Sequence, residues 1–333
     1  MKVLVTGVSG YLGGRVGVRL ARAGHQVRGF VRDPSRWRSR PPGADAVQGD
    51  VTDAAALGRA AQGCQAVVHA AAHVKVWDRD KHRFAEVNVG GLRHAADAAA
   101  SSGAMLVYVS SFIALGPTDG RVFDEETPRA AGDAHNQYEK TKWEADVLAR
   151  RLGAEGRSIV RLYPGVVYGP GALTAGNHVA QVLLQHARGK LPGLLGPGDR
   201  RQCFAYVEDV ADGVALALER ARPGSAYILG GENRTVTELF DAFHAATAIP
   251  PPRRHIPYAV AGLVGRAQRL WAELTGRDPE LTDEVVEIYR HEWAYSSARA
   301  ERELGYRITP FGQGIGRTAA WLRETGALPP GRR

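Results

Sequence analysis

The sequence predicts an α/β protein built on a doubly wound parallel sheet with helices on both faces, and three observations carry that prediction. Short apolar runs alternate with helical patterns through the first half of the chain, as βαβ units require. Val, Leu and Ile dominate most of these runs without clean alternation, the pattern of strands buried on both faces. A glycine-rich turn, Gly7-Val8-Ser9-Gly10-Tyr11-Leu12-Gly13, follows the first run and opens the first helical stretch.

Strands are expected at 2–6, 26–32, 46–49, 66–69, 105–110 and 158–162, and helices at 11–23, 54–61, 80–100 and 137–152. The apolar start is too short for a signal peptide and runs straight into glycines, so it reads as the first strand. After about residue 170 the texture changes. Gly and Pro punctuate 169–176 and 189–198, and helices then predominate. Pro250-Pro251-Pro252 breaks the chain before a helical region at 258–290. Residues 1–170 are expected to form the main domain, with a returning segment near 205–230 that includes a strand at 226–229. Residues 171–333 mainly form a smaller helical lobe, and residues 329–333 read as a frayed tail.

Composition narrows the function. Hydrophobic residues make up 44% and charged residues 23% of the 333 positions, the balance of an ordinary globular chain. Cys64 and Cys203 cannot build a disulfide framework, and metal-ligand spacing is absent from the sequence, so a reducing cytoplasm and no metal are expected. Every apolar run stops well short of the roughly 18 residues of a membrane span. The formal charge of +8 invites a nucleic-acid partner. Basic residues are spread along the whole chain, however, and the densest cluster (Arg28, Arg32, Arg36, Arg38 and Arg40) holds only Trp37 among its arginines. No nucleic-acid partner is expected.

Two local patterns carry chemistry. Glycines at 7, 10 and 13 permit a tight turn, let backbone approach a pyrophosphate, and place that group on the N–H groups of a helix start. Tyr138 and Lys142 stand four positions apart, on one face of a helix. An ammonium beside a phenol is expected to lower its pKa from about 10 and make it a usable proton donor and acceptor.

Further blocks fall in order along the chain: Asp50-Val51-Thr52-Asp53, His69-Ala70-Ala71-Ala72, Val87-Asn88-Val89-Gly90-Gly91 and Val109-Ser110-Ser111, then the Tyr138/Lys142 pair, a block running from Arg161 to Pro170, and Tyr206-Val207-Glu208-Asp209-Val210. With these, the chain resembles an extended short-chain dehydrogenase/reductase over nearly its full length. It most resembles the dihydroflavonol 4-reductase-like and 3β-hydroxysteroid dehydrogenase-like members, with nucleotide-sugar epimerases as related enzymes.

The resemblance implies a catalytic triad of Ser111, Tyr138 and Lys142. Tyr138 would exchange a proton with a substrate oxygen, Ser111 would hydrogen-bond the same oxygen, and Lys142 would tune Tyr138 and hold the nicotinamide ribose. Ser110 is expected only to cap backbone. Gly7, Ser9, Gly10, Tyr11, Leu12 and Gly13 would hold the pyrophosphate, Asp50 and Val51 the adenine. Ala70, Ala71 and Ala72 would pass close to the cofactor, and Pro164, Gly165, Val166 and Val167 would place the nicotinamide. Asn88 would bridge backbone groups and steady the site.

Arg32, after the second strand, favours NADP(H) through a 2′-phosphate, while Asp33 keeps NAD(H) open. His73, Trp77, Phe112, Tyr163 and Phe204 are the expected substrate contacts, and their character suits an apolar carbonyl or alcohol compound. The leading expectation is therefore a reductase/dehydrogenase interconverting a carbonyl and a secondary alcohol. The alternatives are a nucleotide-sugar epimerase/dehydratase that retains NAD(P), and a non-catalytic NAD(P)-sensing protein. By resemblance alone, a homodimer through helices 80–100 and 137–152 is expected.

Overall fold

The computed structural model describes residues 1–75, 77–129 and 134–328. The tail at 329–333, expected to fray, lies outside the described residues.

Six strands come from the first half: β1 (Lys2–Thr6), β2 (Gln26–Val31), β3 (Asp45–Gln48), β4 (Ala66–His69), β5 (Met105–Val109) and β6 (Ile159–Pro164). Further along lie β7 (Val166–Tyr168), β8 (Leu194–Leu195), β9 (Arg201–Tyr206), β10 (Ala226–Leu229), β11 (Glu232–Thr235) and β12 (His255–Ile256). The main sheet has the order β10-β6-β5-β4-β1-β2-β3, and all of its pairings are parallel. Strand order reverses between β1 and β4, so a crevice opens beyond their carboxyl ends, where Thr6 pairs with His69. β7, β9 and β11 form a separate small sheet that the sequence pattern did not announce.

The helices of the first half are α1 (Tyr11–Arg22), α2 (Ala54–Ala61), α3 (His82–Ala85), α4 (Gly91–Ser101) and α5 (Gln137–Ala154). After them come α6 (His178–Ala187), α7 (Val207–Arg220), α8 (Val236–Thr247), α9 (Tyr258–Thr275), α10 (Asp283–Arg290), α11 (Ala298–Leu304) and α12 (Phe311–Glu324). Successive strand residues face opposite ways, so β1 sends Val3 and Val5 to one core and Leu4 to another. The first core adds Val16 and Leu20 of α1, Val210 and Val214 of α7, and Leu304 of α11. The second adds Leu57 of α2, Leu92 and Ala95 of α4, and Ala149 of α5. Two covered faces explain why the strands read as apolar without alternation. A third core, around Tyr168, Phe204, Phe240, Phe243 and Phe311, holds the later helices to the small sheet.

Two helical expectations change form. The stretch 80–100 is not one helix: α3 passes through a π-helical turn, Glu86–Gly90, into α4. The stretch 258–290 splits, because Gly276 at φ +73° ends α9 in a left-handed cap and Thr282 starts α10 by accepting from the N–H of Val285.

Candidate active site

The glycine turn is built by close approach. Gly7 has φ +78°, and a Cβ on it would stand 2.8 Å from the backbone carbon of Ala70 and the nitrogen of Ala71. The ends of β1 and β4 therefore nearly touch. Gly10 N–H donates to Gly7 O at 2.9 Å, and a Cβ on Gly13 would collide with that same carbonyl. Gly10 caps α1 without a side-chain bond, so the first N–H groups of α1 face the crevice open to an anion. The buried Tyr11 hydroxyl donates to Gly169 O at 3.0 Å, and Arg15 Nη2 donates to Pro170 O at 3.0 Å. These two bonds tie the turn to the loop after β7. Behind it, Thr6 Oγ1 accepts from Ala71 N–H at 3.1 Å and is hydrogen-bonded to His69 Nδ1 at 3.0 Å. Burial pushes the His69 pKa down to about 3, so this ring is neutral.

At the far end of the crevice, Arg32 is exposed beyond β2. The adjacent Asp33 Oδ1 accepts from Ser35 N–H at 3.0 Å and Ser35 Oγ at 2.7 Å. Those bonds hold the Asp33 carboxyl below the usual carboxylate range. Asp50 Oδ1 likewise accepts from Thr52 N–H and Oγ1, both at 3.0 Å, which fixes the turn leading to Val51.

The first turn of α5 is held from beneath. Asn136 Oδ1 accepts from Glu139 N–H at 2.8 Å. Glu139 is fully buried, and its carboxylate binds Arg129 and His135. This buried arrangement places Tyr138, itself mostly covered, on the crevice wall. Lys142, one turn on, is buried; its Nζ donates to Ser110 O at 3.4 Å and lies 6.0 Å from the centre of the Tyr138 ring. Ser111 Oγ accepts from Ile113 N–H at 3.4 Å and starts the short 3₁₀ turn Phe112–Leu115. Backbone capping therefore falls to Ser111, whereas the buried Ser110 Oγ has no partner among the described residues. The expected division of labour between the two serines is corrected on that point.

The electrostatic expectation for the pair is also corrected. Burial pushes the Tyr138 pKa up to about 12, with the Ser111 hydroxyl pulling it partly back. Burial lowers Lys142 to about 8. Removal from water is the largest influence on each group.

Asn88, in the π-helical turn, bridges the two walls. Its Oδ1 accepts from His73 N–H at 2.8 Å, and its Nδ2 donates to Thr141 Oγ1 at 3.0 Å and His73 O at 3.3 Å. Such turns recur at functional sites because they break a helix's regular register.

One cleft of about 2020 Å³ receives the expected catalytic, cofactor and substrate residues except Tyr163, with Asn88 behind its wall. That exceeds the roughly 300–1,000 Å³ of an ordinary small-molecule pocket and leaves room for a dinucleotide beside a second ligand. Tyr163 is corrected: it is fully buried in the core, and its hydroxyl donates to Asp146 Oδ1 at 2.6 Å. Trp77 lines the cleft with its indole N–H buried and without a partner among the described residues. His73 is committed, its Nε2 standing 2.9 Å from Asp78 Oδ2 and its ring against Phe84. Phe112 and Phe204 present only edges, since both are mostly packed into cores.

Sequence reading missed Val236, Leu239, Ile288 and Tyr289, which complete the apolar wall from α8 and α10. No motif marks them, because they are ordinary helical hydrophobes until the lobe folds over. It also missed His135, Glu287 and His291, whose ligand-capable atoms lie within 4.8 Å of one another. Only tertiary folding brings those three together.

A parallel sheet of this order, with a glycine turn at its switch point and a tyrosine–lysine pair on the opposite wall, defines a Rossmann-type nucleotide-cofactor enzyme. The family model described as the NAD dependent epimerase/dehydratase family matches residues 3–230. The chain belongs to that family, the extended short-chain dehydrogenases/reductases, as the motif blocks implied. It is 28% identical over 331 residues to a Synechocystis protein provisionally named a dihydroflavonol 4-reductase, covering 97% of this chain and 94% of that one. The solved structure of gox2253 superposes with a TM-score of 0.83 at 30% identity, covering 98% of this chain and 99% of that one. Thermus thermophilus UDP-glucose 4-epimerase, solved with NAD, gives a TM-score of 0.75 at 25% identity, covering 97% and 99%. Among the described residues no helix is long and apolar enough to cross a membrane.

Proposed function

We propose that this protein is an NADP(H)-dependent reductase/dehydrogenase that interconverts a carbonyl and a secondary alcohol on a largely apolar small molecule. The observation that carries the reading is the meeting of Ser111, Tyr138 and Lys142 at one wall of an apolar cleft that begins at the glycine turn. Residues 1–170, with the returning segment near 205–230, hold the cofactor in this reading, and the lobe from 171 onward shapes the substrate pocket.

The residues fit a dinucleotide. A Cβ at Gly7 or Gly13 would collide with the backbone that shapes the turn, and α1 offers unblocked N–H groups to the pyrophosphate. Arg32 is exposed and makes no ion pair among the described residues, while Asp33 spends one carboxylate oxygen on Ser35. That pairing supports a 2′-phosphate over a free ribose hydroxyl. When bound, the nicotinamide supplies hydride.

The side chains then handle the proton. With a pKa raised to about 12, Tyr138 is protonated at neutral pH and suited to donate to a carbonyl oxygen during reduction. Ser111 stabilises the charge that grows on that oxygen. Lys142 brings an ammonium close enough to lower the cost of phenolate once the site is desolvated and filled. In the alcohol direction the same proton returns to Tyr138. Ile113, Val166, Phe204, Leu239 and Ile288 give the pocket the character of an apolar substrate site rather than of a sugar nucleotide site.

Two buried free thiols, Cys64 and Cys203, support a reducing cytoplasm as the working compartment. Exposed Trp143 and Val147 on α5 support pairing of two copies through that helix. NADPH and NADH titrated separately into the purified protein test the cofactor assignment, which equal or tighter NADH binding would overturn. Tightly retained cofactor and turnover without net oxidation would favour the epimerase reading instead. Stoichiometric NADPH binding with no turnover on a broad carbonyl panel would favour a sensor.

A further inference from the structure

Six of the twelve large hydrophobic side chains that the described residues expose lie on one helix, α9. Val260, Leu263, Val264, Leu270, Trp271 and Leu274 repeat at the spacing of a single helical stripe, and exposed Ala267 continues it without a charge. Leu274 is 80% exposed, Leu263 70% and Trp271 61%. The buried face of the same helix holds Ala261, Gly265 and Ala272. A Cβ on Gly265 would meet the backbone of Thr282 and Asp283, so small residues let α9 sit close against the start of α10. The helix thus buries its small side chains and presents its large ones. An apolar face of this length left in water marks an interaction surface.

Charge identifies what covers the stripe. Arg253 and Arg254 precede α9 and Arg277 follows it, all exposed; Arg79 reaches the C-terminal end of the helix at Gly276. None of these four arginines makes an ion pair among the described residues. The neighbouring acids Glu273, Asp278 and Asp283 are already engaged by Lys81, Lys75 and Arg269. Glu280 and the half-buried Glu284 are the unengaged acids near them. Pairing two copies through this stripe would set arginines against arginines. Antiparallel helices would bring Arg253 and Arg254 onto Arg277 and Arg79, and parallel ones would bring each end onto itself. An anionic lipid surface accepts both the stripe and its arginine ends.

We propose that α9 is an interfacial helix that docks this protein, in the plane of the membrane, on a bilayer containing anionic lipid. Its 18 residues make a stripe about 27 Å long. Trp271 suits the boundary between headgroup and acyl chain. Docking would also set the cleft beside the bilayer. Tyr258 of α9 donates to Tyr289 O at 2.8 Å, and Tyr289 and Ile288 of α10 line the cleft. The docking itself does not depend on which reaction the cleft performs.

The test is flotation of the full-length protein with vesicles of phosphatidylglycerol and phosphatidylcholine, and with phosphatidylcholine alone. The protein floats with the mixed vesicles, less with the neutral ones, and added salt weakens the association. Leu263→Glu with Leu274→Glu lowers vesicle affinity at least about tenfold while leaving NADPH affinity and molar mass unchanged. Arg253→Ser with Arg254→Ser and Arg277→Ser lowers it on anionic vesicles only. Absence of binding to either vesicle, or undiminished binding by the leucine variant, overturns the proposal. A leucine variant of lower molar mass in lipid-free light scattering also overturns it, by assigning the stripe to a second copy.

Discussion

Lys142 Nζ lies 3.4 Å from the Ser110 carbonyl oxygen and 6.0 Å from the centre of the Tyr138 ring. The lysine that sequence spacing pairs with a phenol is therefore anchored to the end of β5. Burial governs both groups: it weakens the ammonium and strengthens the O–H bond of the phenol against ionisation.

A buried ammonium with one carbonyl partner costs stability. The Lys142 pKa falls from 10.5 to about 8 on folding. Between these values the unfolded chain holds the extra proton, so this group makes stability rise with pH across that window. Below it, the full cost is present. Lys142→Met should therefore stabilise the nucleotide-free protein near neutral pH by up to about 3 kcal/mol. Thermal melts of both proteins should show the gain shrinking from pH 8 upward and gone above the unfolded value.

Tyr138 should resist ionisation until cofactor arrives. Ultraviolet difference titration of wild type against Tyr138→Phe should show no phenolate from this residue at pH 10 without nucleotide. Adding the oxidised cofactor, with its positive nicotinamide, should bring that signal to lower pH. An unshifted titration on cofactor addition would contradict the proton-transfer role proposed for Tyr138.

Arg32 should separate the two cofactors. Arg32→Ser removes charge-assisted bonds to a 2′-phosphate, which should weaken NADPH binding about tenfold to a hundredfold. NADH binding should change little. Calorimetric titration with each nucleotide reads the difference directly.

Asn88 should matter to stability as well as turnover. Asn88→Ala leaves the His73 N–H and C=O without their side-chain partner, while the Thr141 hydroxyl keeps its bond to Gln137 O, and should destabilise by about 1–3 kcal/mol in urea unfolding. Thr141→Val removes only one of the Asn88 bonds and should cost less.

Gly13 should tolerate no side chain. A Cβ there collides with the Gly7 carbonyl, and both atoms belong to backbone, so neither can swing away. Gly13→Ala should abolish measurable nucleotide binding, whereas Gly58→Ala in α2, where a Cβ meets open space, should not.

The fold was legible where pattern is local. The glycine turn, the apolar runs of β1 to β6 and the order of the motif blocks are all written within a few residues of each other. The break between α3 and α4 was not, because residues 80–100 read as helix on composition and the π-helical turn is set by what Asn88 must reach. Tyr163 sits beside residues that do line the cleft, but strand alternation turns its ring inward to Asp146. The pKa direction expected for Tyr138 was opposite to the one found, because spacing reports proximity and says nothing of desolvation. The solvent-facing stripe of α9 has the same periodicity as a buried one. Only packing reveals that Gly265, rather than Leu263, faces the protein.

The most direct test of the account is single turnover with NADPH. Wild-type protein, preloaded with NADPH and mixed with a panel of apolar ketones, should oxidise the cofactor one for one with alcohol formed. Tyr138→Phe should bind NADPH with unchanged affinity and form no alcohol. Retained alcohol formation in Tyr138→Phe, or wild-type turnover that leaves NADPH absorbance unchanged, would contradict it.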